Sequence, residues 1–126
     1  MKKEEKACAL HDQGYNCAQS VLMAMTDHTG LTEELSASLA AGFGGGAGCR
    51  ELCGAISGSL MTIGSVKGAA KRPEVMALDR ELISAFREHF GAVRCEDLKA
   101  RKIPCADLIA FAAEKTESLL SEGGKS

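Results

Sequence analysis

The sequence predicts an all-α fold, a compact single-domain bundle of about five to seven helices covering residues 1–126. Three observations carry that expectation. Every long segment repeats its apolar residues at the helical spacing of three and four positions. No short run alternates with the β-branched and aromatic enrichment of a strand. Glycine and proline fall at the ends of the periodic segments, where helices stop and start. A chain of 126 residues suits one hydrophobic core. No internal repeat or low-complexity linker divides it.

The elements follow in order. Lys3 to Gln13 is a charged run of helix formers closed by Gly14. Asn16 is placed to cap a second helix with an apolar stripe at Cys17, Val21, Leu22 and Met25, and Gly30 stops it. Thr32 caps a third, with Glu33 and Glu34 in the first turn where the helix dipole favours acids, running to about Ala41. A fourth is expected from about Arg50 to Val66, with Gly54, Ser57, Gly58 and Ser59 leaving one side nearly bare. Pro73 suits a first helical position and precedes a stripe at Val75, Leu78, Leu82, Phe86 and Phe90 that ends at Gly91. After a short turn around "RCEDLKARKI", Pro104 opens a last helix with apolar positions at Cys105, Leu108, Ile109, Ala112, Leu119 and Leu120. The ends, about 1–3 and 121–126, are expected to fray.

Charge and hydropathy exclude several classes of function. Net charge is −2 and the basic residues are interspersed with acids, so no nucleic-acid footprint is present. The uncharged run from Leu52 to Val66, 15 residues, is short for a bilayer span, and no membrane crossing is expected. The N-terminus lacks the apolar stretch of a signal peptide, which points to a cytoplasmic setting.

Six cysteines, at 8, 17, 49, 53, 95 and 105, are the chemistry-bearing feature. In a reducing compartment such residues bind metal or do redox chemistry more often than they form permanent disulfides, although a free cysteine also serves as a small core hydrophobe. Cys17, Cys53, Cys95 and Cys105 all fall at or near expected helix starts. There, unpaired N–H groups and the positive end of the dipole favour thiolate over thiol and lower the cysteine pKa. Cys49 and Cys53 are spaced i, i+4 and would share a face if the fourth helix began at Gly48.

The loop "GFGGGAG" matches GxGxxA, but the dinucleotide fingerprint requires a preceding strand and none is expected here. Gly44, Gly45, Gly46 and Gly54 offer instead a nest of backbone N–H groups for a thiolate, a sulfide or another anion; a tight turn with close helix packing uses the same glycines. Cys8 and His11, at i, i+3, make a poor metal pair by themselves, and His28 and His89 suit helix C-terminal capping.

"GYNCAQSVL", "GFGGGAG", "CGAISG", Cys95 and Cys105, taken in order, resemble the family of redox-active proteins named for its signature C_GCAxxG_C_C. The resemblance runs from about residue 14 to 112. It implies that the signature cysteines are Cys17, Cys53, Cys95 and Cys105, with Gly54, Ala55 and Gly58 in the central element. This chain reads CGAxxG where the family name spells GCAxxG. Cys8 and Cys49 lie outside the signature, Cys49 remaining an accessory ligand or resolving thiol. The resemblance also implies a prokaryotic, cytoplasmic protein with a redox partner linked to a transporter system.

Three functions remain open at this point. The four cysteines form a thiol/disulfide or electron-transfer centre; they ligate an iron–sulfur cluster or zinc; or they only pack, the glycine side of the fourth helix serving a homodimer contact.

Overall fold

The computed structural model describes residues 1–123 and is all-α. Among these residues there are eight α-helices: α1 (Lys3–Asp12), α2 (Cys17–Ala24), α3 (Thr26–Thr29), α4 (Glu33–Ala40), α5 (Gly54–Lys67), α6 (Arg72–Phe90), α7 (Cys95–Ala100) and α8 (Cys105–Gly123). Six of them are of the length that the periodicity foresees, and α3 and α7 are short. No helix among the described residues is long and apolar enough to cross a membrane.

α5 is the central element. It carries no charge before Lys67, and Gly54 to Ser59, Thr62 and Ile63 are buried, as expected of a helix apolar on all sides. α2 packs along it on one side, α8 and α6 on others, while α1 lies across α2 and α8. The main core gathers Leu10, Val21, Met25, Ile56, Phe86 and Ile109. A second cluster, Ile63, Leu82, Leu119 and Leu120, closes the far end of α5, α6 and α8. The α6 and α8 stripes foreseen from the sequence supply both clusters. Two α5 hydroxyls are satisfied inside, Thr62 Oγ1 donating to Gly58 O at 2.8 Å and Ser59 Oγ to Ala112 O at 3.4 Å.

The glycine side of α5 is occupied within the chain. A Cβ at Gly58 would stand 2.6 Å from Ala18 O and 3.0 Å from Val21 Cβ, and one at Gly54 would stand 2.9 Å from Phe43 O and 3.2 Å from Cys17 Cβ. That face therefore packs on α2 and is not open to a second copy, which corrects its expected use as a dimer contact.

Other boundaries also move. The helix foreseen from Asn16 to Gly30 is two, because α2 tightens at Met25 (φ −103°, ψ 15°), whose N–H reaches back to Leu22 O. α5 starts at Gly54 and not near Arg50. Gly45, Gly46, Ala47, Gly48 and Arg50 all have φ between 62° and 75°, a conformation that cannot continue a right-handed helix. Cys49 and Cys53 consequently do not share a helical face. α6 begins at Arg72, one residue ahead of Pro73. The C-terminal stretch expected to fray is helical through Gly123, and residues 124–126 lie outside the described part.

Two substitutions on α5 test this packing in opposite directions. Gly58→Ala should destabilise the fold by about 1–3 kcal/mol, the usual cost of overpacking a tight contact. Gly64→Ala, in the same helix but with open space at its Cβ, should stabilise by roughly 0.5–1 kcal/mol. Urea midpoints at constant m-value separate the two; equal effects would contradict the close approach of α2 to α5.

Candidate functional site

Four helix starts converge. Cys17 is the first residue of α2, Cys53 the N-cap of α5, Cys95 the first residue of α7 and Cys105 the first of α8. The local sequence sets each one. Asn16 caps α2: its side chain accepts from Gln19 N at 2.8 Å while Gln19 Oε1 accepts from Asn16 N at 2.9 Å. Asn16 Nδ2 also donates to Ala41 O at 3.1 Å, tying the start of α2 to the segment that leads into the glycine loop. Pro104 precedes Cys105, and its carbonyl accepts from Asp107 N at 3.0 Å in the first turn of α8.

Cys53 and Cys95 are placed by a backbone bridge. Leu52 and Arg94 face each other antiparallel, Cys53 N donating to Val93 O at 2.9 Å and Cys95 N to Glu51 O at 2.6 Å. Alternation along paired extended segments puts the two cysteines on one face of the bridge. Arg94 braces the same junction from outside, donating to Glu51 at 3.1 and 3.3 Å.

The four cysteines line a single cavity of about 70 Å³, with Gly45, Gly46 and Gly54, the apolar side chains of Leu98, Ile103 and Leu108, and Lys99. That volume holds a few waters or a small inorganic group, but not an organic substrate, whose pockets run to several hundred Å³. Cys53 and Cys95 are buried; Cys17 and Cys105 are half-buried. All six cysteines are free thiols. Among the described residues no group of three or more Cys, His, Asp or Glu side chains is placed to hold a metal ion.

Not every residue of the expected site is here. Gly44 does not line the cavity, and a Cβ on it would collide with Asn16 Cβ at 2.6 Å. Gly46 is a true wall, since a Cβ there would come within 2.8 Å of Cys95 Cβ. Cys49 is exposed on the loop and does not line the cavity, its Sγ donating to Gly46 O at 3.5 Å. Cys8 and His11 are occupied separately: Cys8 Sγ donates to Ala106 O at 3.6 Å, and His11 Nδ1 pairs with Tyr15 O at 2.9 Å. His28 meets Glu117 at 3.0 Å, and His89 stacks on Phe111 with ring centroids 4.5 Å apart. The sequence reading does not single out Leu98 or Lys99, and it names Leu108 only as an apolar position of the last helix. Their spacing of three and four from Cys95 and from Cys105 is the signal that points to them.

At Cys17 and Cys53 the electrostatics reverse the expectation of a low thiol pKa. Burial pushes Cys17 up to about 12, helped by the charges Cys105 and Cys53 would carry and by a thiol hydrogen bond with Cys105. Cys53 is pushed up to about 11, again chiefly by burial; the N–H groups of Ala55 and Ile56 pull it down, as the helix start should, but by less. The helix termini are where the sequence places them. Desolvation and mutual repulsion outweigh them.

At pH 8, Cys17 and Cys53 should thus be almost wholly thiol and should alkylate far more slowly than exposed Cys49, and faster as pH rises. Mass spectrometry after timed iodoacetamide treatment reads this directly, and equal rates at all three would contradict the burial argument. The same raised values make the native state hold protons that the unfolded chain releases above about pH 8.5, so stability should fall as pH rises past that point.

No curated protein and no solved structure matches the chain. The family model described as "Putative redox-active protein (C_GCAxxG_C_C)" matches residues 15–119. That span includes α2 through most of α8 and all four cysteines of the cavity, and the chain belongs to this family.

Proposed function

We propose that Cys17, Cys53, Cys95 and Cys105 form the redox centre of this protein and that electrons are stored on sulfur inside the cavity. One observation carries the reading. Thiols separated by up to 88 positions in the chain line one enclosed space too small for an organic substrate. Chemistry there falls to the sulfurs themselves.

Cys17 and Cys105, neighbours in the cavity, are the first pair to oxidise. Each loses its proton, one S–S bond forms, and two electrons leave to a partner disulfide or another two-electron acceptor. Oxidation also removes the buried thiolate that desolvation makes costly at Cys17. Cys53 and Cys95, on one face of the backbone bridge, make the second pair.

The raised values at Cys17 and Cys53 favour a second reading, in which a cationic centre replaces the protons. A lone zinc needs four sulfurs about 2.3 Å from one point, and the side chains are not so placed. An iron–sulfur cluster is the metal form this reading would take, with Cys17, Cys53, Cys95 and Cys105 as the residues that would hold it.

Thiol counting and metal analysis on anaerobically purified protein discriminate these readings. Under the first, treatment with diamide should remove two or four of the six titratable thiols, and Cys17→Ser should spare the Cys105 thiol from oxidation. Under the second, the protein should carry iron and acid-labile sulfide with visible absorption that Cys53→Ser or Cys95→Ser abolishes. A colourless, metal-free protein whose thiol count ignores oxidant would overturn both.

A further inference from the structure

A second concave site lies on the outer side of the junction that holds Cys95. It is an open cleft of about 500 Å³ between the end of α6 and α7, lined by Arg87, Gly91, Arg94, Asp97 and Arg101 among others. Three of those side chains are guanidinium groups, and they are not equivalent. Arg94 is already engaged by Glu51 and, at 3.2 Å, by Glu96. Arg87 and Arg101 form no ion pair among the described residues.

The backbone is shaped for this arrangement. Gly91 ends α6 with φ 82°, and a Cβ on it would stand 2.9 Å from Arg101 Nη1 and 3.1 Å from Arg101 Cζ. The guanidinium of Arg101 therefore lies directly over the glycine, its position set by the absence of a side chain there. Arg87 sits one helical turn earlier on α6, and its carbonyl accepts from Gly91 N at 2.7 Å. Two uncommitted guanidinium groups facing one cleft offer the planar, forked donors that match an oxyanion. The cleft is also large enough for more than the anionic group alone. Asp97, its only lining carboxylate, can accept from a hydroxyl or amine of the same molecule.

We propose that the cleft between Arg87 and Arg101 binds a small molecule through a phosphate or carboxylate group. The site is separate from the cysteine cavity and does not rest on the redox reading. Its ligand would sit against residues 91–97, the segment that also carries Cys95.

The test is amide NMR of the full chain under reducing conditions, titrated in parallel with inorganic phosphate, with succinate, and with sodium chloride at matched ionic strength. Phosphate or succinate should produce saturable shifts centred on Gly91 and Arg101, chloride should not, and the probe that saturates identifies the anionic group. Arg101→Gln should weaken that binding by about tenfold or more, the usual loss when a charged hydrogen bond is removed. Arg87→Lys with Arg101→Lys keeps the charge and loses the fork, and should weaken binding as well. Both variants alter exposed side chains and should keep the wild-type spectrum elsewhere and the same free-thiol count. Linear shifts matching those of chloride, or undiminished binding by Arg101→Gln, would overturn the proposal.

Discussion

The approach of α2 to α5 depends on two positions without a side chain. At Gly58 the carbonyl of Ala18, and at Gly54 the Cβ of Cys17 and the carbonyl of Phe43, fill the space a Cβ would need. Each contact is small in area, yet together they set how α2 lies along the central helix. Because Cys17 begins α2 and Cys53 caps α5, this close packing brings the start of one helix against the start of the other. A bulkier α5 would hold the helices apart and open the cavity to water.

The second pair of cysteines is brought in by a different force. Segments 51–53 and 93–95 exchange two backbone hydrogen bonds, and the bridge turns Cys53 and Cys95 to one side. It is a fragment of sheet pairing in an otherwise helical protein, too short to be foreseen from alternation. The glycine loop then passes close over Cys95 at Gly46, where left-handed backbone allows the chain to wrap the cavity without a side chain entering it. Helix packing, a two-bond bridge and a glycine wall thus act at one place.

The consequence for chemistry is a competition that burial wins. Backbone N–H groups at the helix starts do stabilise negative sulfur, as the contribution of Ala55 and Ile56 at Cys53 shows. Removal from water and the closeness of the other thiols cost more. Cys17 and Cys53 are therefore quiet as nucleophiles at neutral pH.

Much of the fold was legible locally. Helical periodicity located α6 and α8 with their buried faces, Asn16 and Thr32 announced the starts of α2 and α4, and Gly91 announced the end of α6. The four cavity cysteines were visible too, as thiols at helix starts. Hidden from local reading were the break at Met25, the left-handed run that delays α5 to Gly54, and the bridge at Leu52 and Arg94. Each of these depends on what the segment meets and not on its own composition. An all-α chain with cysteines at helix N-termini could be read from local order alone, because capping and periodicity act over a few residues. That those termini share one cavity, that Cys49 stays outside it and that burial raises Cys17 and Cys53 emerged only with packing, because distance and desolvation arise when remote segments meet.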